Sequence, residues 1–139
     1  MRVRLSNQQS EIPVRVRPLL RQLKASLFLL PGPLPPEIEA IEIVLVDRAT
    51  MADVHGDFLD DKTETDVITF PYGEILVCPA VAKEQAPRHG LGTDHEILLY
   101  ALHGILHLVG YDDTTPAKAR VMEQEQDKLL KRVLAQKGA

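Results

Sequence analysis

The chain is poor in several things at once. It has one cysteine, no tryptophan and only 4% aromatic residues. A lone thiol, Cys78, forms no internal disulfide and fits a reducing, cytoplasmic compartment. So few aromatics argue against a platform on which several bases stack. Positive charge is not in surplus either. The net charge is −4, so any contact with nucleic acid must come from a local patch. The N-terminal stretch MRVRLSNQQSEIPVRV has basic residues but no apolar segment behind them. ASLFLL is too short for a signal peptide or a membrane span, so neither is expected. There is no internal repeat and no low-complexity segment. What remains is 139 residues, 45% of them hydrophobic. That is enough for one core, and residues 1–139 read as a single domain.

Periodicity orders the elements. MRVRLS alternates like a short strand. Leu19, Leu20, Leu23, Leu27 and Leu30 recur at helical spacing, with Pro18 in the first turn of that helix. Its polar side carries Arg17, Arg21 and Lys24. PGPLPPE is a rigid loop. AIEIVLVD is a strand, followed by a short helix to about Leu59 that Asp47 or Thr50 caps. DDKTE is a polar connection. TDVITFPYG reads as a second main strand, turned by Gly73 into its hairpin partner EILVCP. VAKEQA is a short helix and PRHGLG a loop. DHEILLYALHGILHLV is a long apolar helix, with Thr93 or Asp94 as its cap and Gly110 as its end. Thr115 and Pro116 open the last helix, in the cap-then-proline order of a helix start. Strands flanked by helices, with one hairpin, predict an α+β sandwich built on one small mixed sheet.

One stretch breaks the pattern. HGILHLVGYDD, residues 103–113, puts two histidines and a glycine inside an otherwise apolar helix. His103 and His107 are one turn apart, so both rings leave the same face. A metal ion asks for this arrangement, with two neutral nitrogens held about 2 Å from one point. Gly110 stops the helix and lets Asp113 return as a carboxylate ligand. Two histidines and one acid leave a position open, as in catalytic sites. Gly104 costs roughly 1 kcal/mol against alanine in a helix interior. Such a break points to a functional site or a very close backbone contact. The bland alternative is a pair of core histidines with satisfied hydrogen bonds. The spacing is that of the HExxH helix of zincin peptidases, but Gly104 stands where those enzymes carry their glutamate base. Another acid would then have to help. Glu96 lies seven residues before His103 on the same helix face, while Asp66 and Glu74 flank the hairpin. His103, His107 and Glu96 are thus the candidate catalytic residues, with a solvated or capping role as the alternative for each acid.

HGILHLVGYDD also resembles the HGxLHLxGYDH signature of the bacterial YbeY family of single-domain, metal-dependent endoribonucleases linked to ribosomal RNA maturation. TDVITFP resembles the family's TDVLSFP, and GEI at Gly73 to Ile75 resembles its GDI. Glu96 matches a frequent glutamate, and Met122 and Gln126 resemble a Met and a Gln of its last helix. The resemblance implies one zinc ion per chain on His103, His107 and Asp113, and RNA cleavage in the maturation of ribosomal precursor RNA or the small subunit. Two positions depart from the pattern. Asp113 stands where the family has a third histidine, and a harder, anionic ligand alters metal preference. By spacing from Thr65, Leu59 stands where the family has an arginine. A nearby basic candidate, His55, lacks a permanent guanidinium charge.

Arg17, Arg21 and Lys24 form a stripe that can collect phosphates without reading bases. A solvated face is the alternative. Two other functions compete with the nuclease: a metallohydrolase of peptide or amide bonds, against which Gly104 argues, and a ribosome assembly factor with little or no catalysis.

Overall fold

The computed structural model describes residues 2–59 and 66–136. Its elements run β1 (Arg2–Asn7), α1 (Val16–Ser26), β2 (Ala40–Leu45), α2 (Arg48–Leu59), β3 (Val67–Thr69), β4 (Glu74–Val77), α3 (Pro79–Gln85), α4 (Thr93–Val109) and α5 (Pro116–Leu134). A single 3₁₀ turn, Ala86–His89, links α3 to α4. The four strands form one mixed sheet in the order β1-β2-β4-β3. β1, β2 and β4 are parallel, with Val3 opposite Ile41 and Ile43 opposite Ile75. β3 runs antiparallel on the edge, with Ile68 opposite Leu76. The expected α+β sandwich of one small mixed sheet and helices is what forms.

Side chains alternate between the two faces of a strand, and both faces here are covered. Ile41, Ile43 and Leu45 of β2, with Ile75 and Val77 of β4, join the main core together with α1, α4 and α5. Val44, Val46, Leu76 and Cys78 point the other way, into a smaller cluster with Met51. Parallel strands buried on both faces read as near-continuous apolar runs, and IVLV and ILVC are such runs. α4 packs against β3 and β4 and against α1, α3 and α5. Its apolar residues are therefore buried nearly all round, as a helix without a polar face must be. No helix among the described residues is long and apolar enough to cross a membrane.

Several details differ from the sequence reading. The leucine pattern of α1 suggested a helix through Leu30, yet it ends at Ser26. There the buried hydroxyl donates to Leu23 O at 2.6 Å, and three i→i−3 bonds tighten the chain towards a proline-rich loop that cannot continue the helix. The strand expected over residues 65–73 is only three residues long. Pro71 has no amide to donate, and Phe70 to Gly73 form a turn closed by Gly73 N to Phe70 O at 2.9 Å. Gly73 takes a φ of +117° and sits so close to Ala40 that a Cβ would lie 2.6 Å from its carbonyl oxygen. The cap of α4 is neither Thr93 nor Asp94. Gly92 holds that position with no side-chain bond, while Asp94 and Glu96 in the first turn complement the helix dipole. Asp47 does cap α2, accepting from Thr50 N at 2.7 Å. Thr115 caps α5, accepting from Lys118 N at 3.2 Å. The polar connection over residues 60–64, residue 65 at the start of the expected strand, and the side chains of Phe58 and Leu59 lie outside the described residues.

Candidate metal centre

The glycine at position 104 is a packing requirement. A Cβ there would sit 2.7 Å from Ile75 Cγ2 and 2.9 Å from Thr69 Oγ1. α4 thus presses its backbone onto β3 and β4, which only glycine allows without displacement. The direction matters chemically as well. A side chain at 104 would run into the sheet, so a glutamate base has no room in that place.

With α4 seated on the sheet, the histidine face is turned to a cleft. His103 Nδ1 lies 2.6 Å from Gln126 Oε1 on α5. His107 Nδ1 lies 3.0 Å from the carbonyl oxygen of Tyr111. An oxygen acceptor at each Nδ1 favours the tautomer that carries its proton there and turns a bare Nε2 the other way. This fixing of tautomer and direction by the far nitrogen is what ligating histidines need. The two Nε2 atoms are 3.1 Å apart. With no proton between them they repel, unless a cation lies where both lone pairs point. Two tetrahedral zinc ligands at 2.0–2.1 Å would be separated by about 3.3 Å. Burial, then the neighbouring His103, holds the His107 pKa below the ordinary histidine value, which favours the neutral, ligating form.

The third candidate ligand arrives by a turn. Gly110, at a φ of +124°, donates to His107 O at 3.1 Å, and Tyr111 N donates to Leu106 O at 3.0 Å. This pair of bonds is the Schellman helix ending. It reverses the chain and brings Asp113 to the histidines, so that one ligand atom from each of the three residues falls within 4.8 Å of the others. Asp112 is engaged elsewhere. Its Oδ1 accepts from Thr114 Oγ1 at 2.8 Å and Thr114 N at 3.1 Å, which lowers its pKa. The histidines are half-buried and Asp113 is exposed, so one side of the centre faces solvent. The donor set, two neutral imidazoles and one carboxylate, suits a divalent transition metal.

Two cavities, of about 670 and 600 Å³, meet at His103, Asp113, Asp66 and Val67. His55 lines the second cavity together with all three candidate ligands. The basic candidate near the family's arginine position thus shares a cavity with the candidate ligands. Asp66 lines both cavities. Glu74 does not reach them. It lies on the sheet face away from α4 and accepts from Tyr72 Oη at 2.7 Å. Glu96 is fully buried behind the wall of the larger cavity, where His89 Nδ1 meets both carboxylate oxygens at 2.7 and 3.0 Å. Arg17, Arg21 and Lys24 are exposed along α1 and line neither cavity. The sequence reading missed His89 altogether and gave Gln126 no task. No local pattern marks either, because each meets its partner only through the fold.

Fold and centre together define a class: a small α+β protein whose sheet-packed helix offers two histidines and a returning carboxylate at the junction of two cavities. The chain belongs to the YbeY family, for residues 4–134 match the family described as Endoribonuclease YbeY. A protein of Beutenbergia cavernae named Endoribonuclease YbeY is 38% identical over 112 residues, covering 68% of this chain and 75% of that protein. One of the same name from Elusimicrobium minutum is 35% identical over 105 residues, covering 67% and 73%. The solution structure of TM1509 from Thermotoga maritima superposes with a TM-score of 0.67 at 27% identity, covering 94% of this chain and 88% of that one.

Proposed function

We propose that this chain is a metal-dependent endoribonuclease that cuts RNA in the cleft around His103, His107 and Asp113. The single observation that carries the reading is the convergence of two Nε2 atoms to 3.1 Å, both rings being held by oxygen acceptors at Nδ1. A bound divalent ion, zinc by its liking for imidazole, would supply Lewis acidity towards a phosphoryl oxygen and its attacking partner. Asp66, Asp113, Glu123 and Asp127 line the larger cavity, against the single lysine Lys131. Such a wall repels phosphate, so RNA entry depends on the charge of the cation. The missing base at position 104 disfavours amide hydrolysis. An RNA phosphodiester is less demanding, because it brings its own 2′-hydroxyl. The relatives named Endoribonuclease YbeY support the same chemistry.

The partner in this reading is ribosomal precursor RNA or the small ribosomal subunit, in the cytoplasm, with the α1 stripe of Arg17, Arg21 and Lys24 gathering phosphates outside the cleft. The test sets labelled precursor RNA beside labelled casein, with wild type and His103→Ala, with and without chelator. Expected is chelator-sensitive cutting of RNA by wild type alone and no proteolysis. Proteolysis that His103→Ala loses, with RNA intact throughout, would overturn the reading in favour of a peptide or amide hydrolase. Binding to small subunits without cleavage of any RNA would favour an assembly factor.

A further inference from the structure

The larger cavity holds a third imidazole. His89 ends the 3₁₀ turn Ala86–His89 and lines the wall that His103 and Asp113 also line. Its Nδ1 faces the Glu96 carboxylate at 2.7 and 3.0 Å. Glu96 is 0% exposed, while the His89 side chain is 50% exposed. A buried carboxylate demands a donor, and Nδ1–H supplies it. The ring is thereby fixed in direction, and Nε2 is left for the open side. Tyr100, one turn after Glu96, lines the same cavity. Its hydroxyl is buried and makes no well-formed hydrogen bond, and burial followed by the Glu96 carboxylate pushes its pKa up. An imidazole with one nitrogen anchored on a buried acid and the other facing a cleft is the arrangement by which carboxylates orient histidines for proton transfer.

We infer that His89, oriented by Glu96, is a further catalytic residue of this cleft, giving a proton from Nε2 to the leaving 5′ oxygen of the RNA. The role rests on the nuclease reading above. When a phosphodiester is cut, an attacking oxygen bonds to phosphorus and the bond from phosphorus to the 5′ oxygen breaks. The electron pair stays on that 5′ oxygen, which takes the Nε2 proton of the His89 imidazolium, leaving that ring neutral, and departs as an alcohol. The attacking oxygen loses its proton to solvent, and neutral His89 regains one from solvent. Glu96 touches no substrate. It is a positioning residue, and keeps Nδ1 as the anchored nitrogen throughout.

The variant His89→Asn separates this role from a structural one. Its side-chain amide still donates to Glu96 but carries no transferable proton. Two RNAs are compared, one ordinary and one with sulfur in place of the bridging 5′ oxygen. A thiolate leaves without needing a proton. His89→Asn should cut ordinary RNA about 10²–10⁴-fold more slowly and the sulfur-bridged RNA at close to the wild-type rate, with metal content unchanged. Asp66, His103, Asp113, Glu123, Asp127 and Lys131 also face the cavity, so the pH profile is read as a difference. The wild type should show a limb on ordinary RNA that His89→Asn lacks. Equal losses on both RNAs, or no loss on either, would overturn the role while leaving the nuclease standing. A wild type that cuts neither RNA overturns the nuclease reading and this role with it. Should His89→Asn not fold, Glu96→Gln serves instead, with slowing expected on ordinary RNA alone.

Discussion

Gln126 Oε1 stands 2.6 Å from His103 Nδ1, so a residue of α5 aims a ring that belongs to α4. Replacing it by leucine keeps the volume and removes the acceptor. His103 is then free to turn or change tautomer, and loss of such an outer partner typically costs about 10–100-fold in metal affinity. A zinc competition titration of Gln126→Leu should show a drop of that order. Affinity equal to the wild type would mean that α5 does not orient the centre.

Asp113→His should keep or raise zinc affinity. A neutral imidazole suits zinc at least as well as a carboxylate, and Asp113 is exposed, so the larger ring has space. The same titration decides. Affinity weaker by tens of times would show that Asp113 has a task other than ligation.

Gly104→Ala pits two effects against each other. Alanine gains about 1 kcal/mol of helix propensity. The new Cβ must displace Ile75 Cγ2 and Thr69 Oγ1, at 2.7 and 2.9 Å, and overpacking of this kind costs about 1–3 kcal/mol. The branched methyl of Ile75 is held in the core, so displacement should win. Denaturant unfolding should show a net loss of up to about 2 kcal/mol. A gain would mean that α4 can lift from the sheet freely.

Reversing charge on α1 tests the phosphate stripe. Arg17→Glu with Arg21→Glu should weaken RNA binding and leave metal content alone, because both positions are exposed and line neither cavity. Fewer counterions are then released, and the slope of log affinity against log salt becomes shallower. An unchanged slope would return the stripe to an ordinary solvated surface.

Acid should weaken the cation-free fold through His107. Its folded pKa lies below the ordinary value because of burial and His103. In the unfolded chain the ring titrates near about 6.5. Between those values the unfolded state binds more protons, so stability falls as pH drops below about 6.5 and levels off beneath the folded value. Thermal melts of chelated protein should show this slope, and His107→Gln should flatten it. Identical slopes in the two proteins would sink the assignment.

Much of this was legible in the chain itself. The histidines at 103 and 107, the stop at Gly110 and the caps Asp47 and Thr115 are local rules, each satisfied within a few residues. Other readings could not be settled that way. Gly104 allowed either a functional break or a close contact, and only the approach of Ile75 and Thr69 decides for contact. Glu96 was a candidate by helix face, yet its partner His89 comes from the preceding turn and was invisible to periodicity. Glu74 looked comparable to Asp66 because both flank a hairpin, but strand alternation sends it to the opposite side of the sheet. The short β3 reflects Pro71, whose missing amide outweighs the strand propensity of VITF.

The turn at Gly110 carries a consequence for how damage shows itself. Tyr111, whose carbonyl aims His107, and Asp113, which completes the candidate ligand set, both hang on one backbone angle that side-chain-bearing residues rarely adopt. A ligand substitution empties the centre and leaves the helix ending intact. A substitution at Gly110 does both injuries at once. Loss of cation and loss of cooperativity in unfolding would appear together there, although residue 110 itself offers the metal nothing.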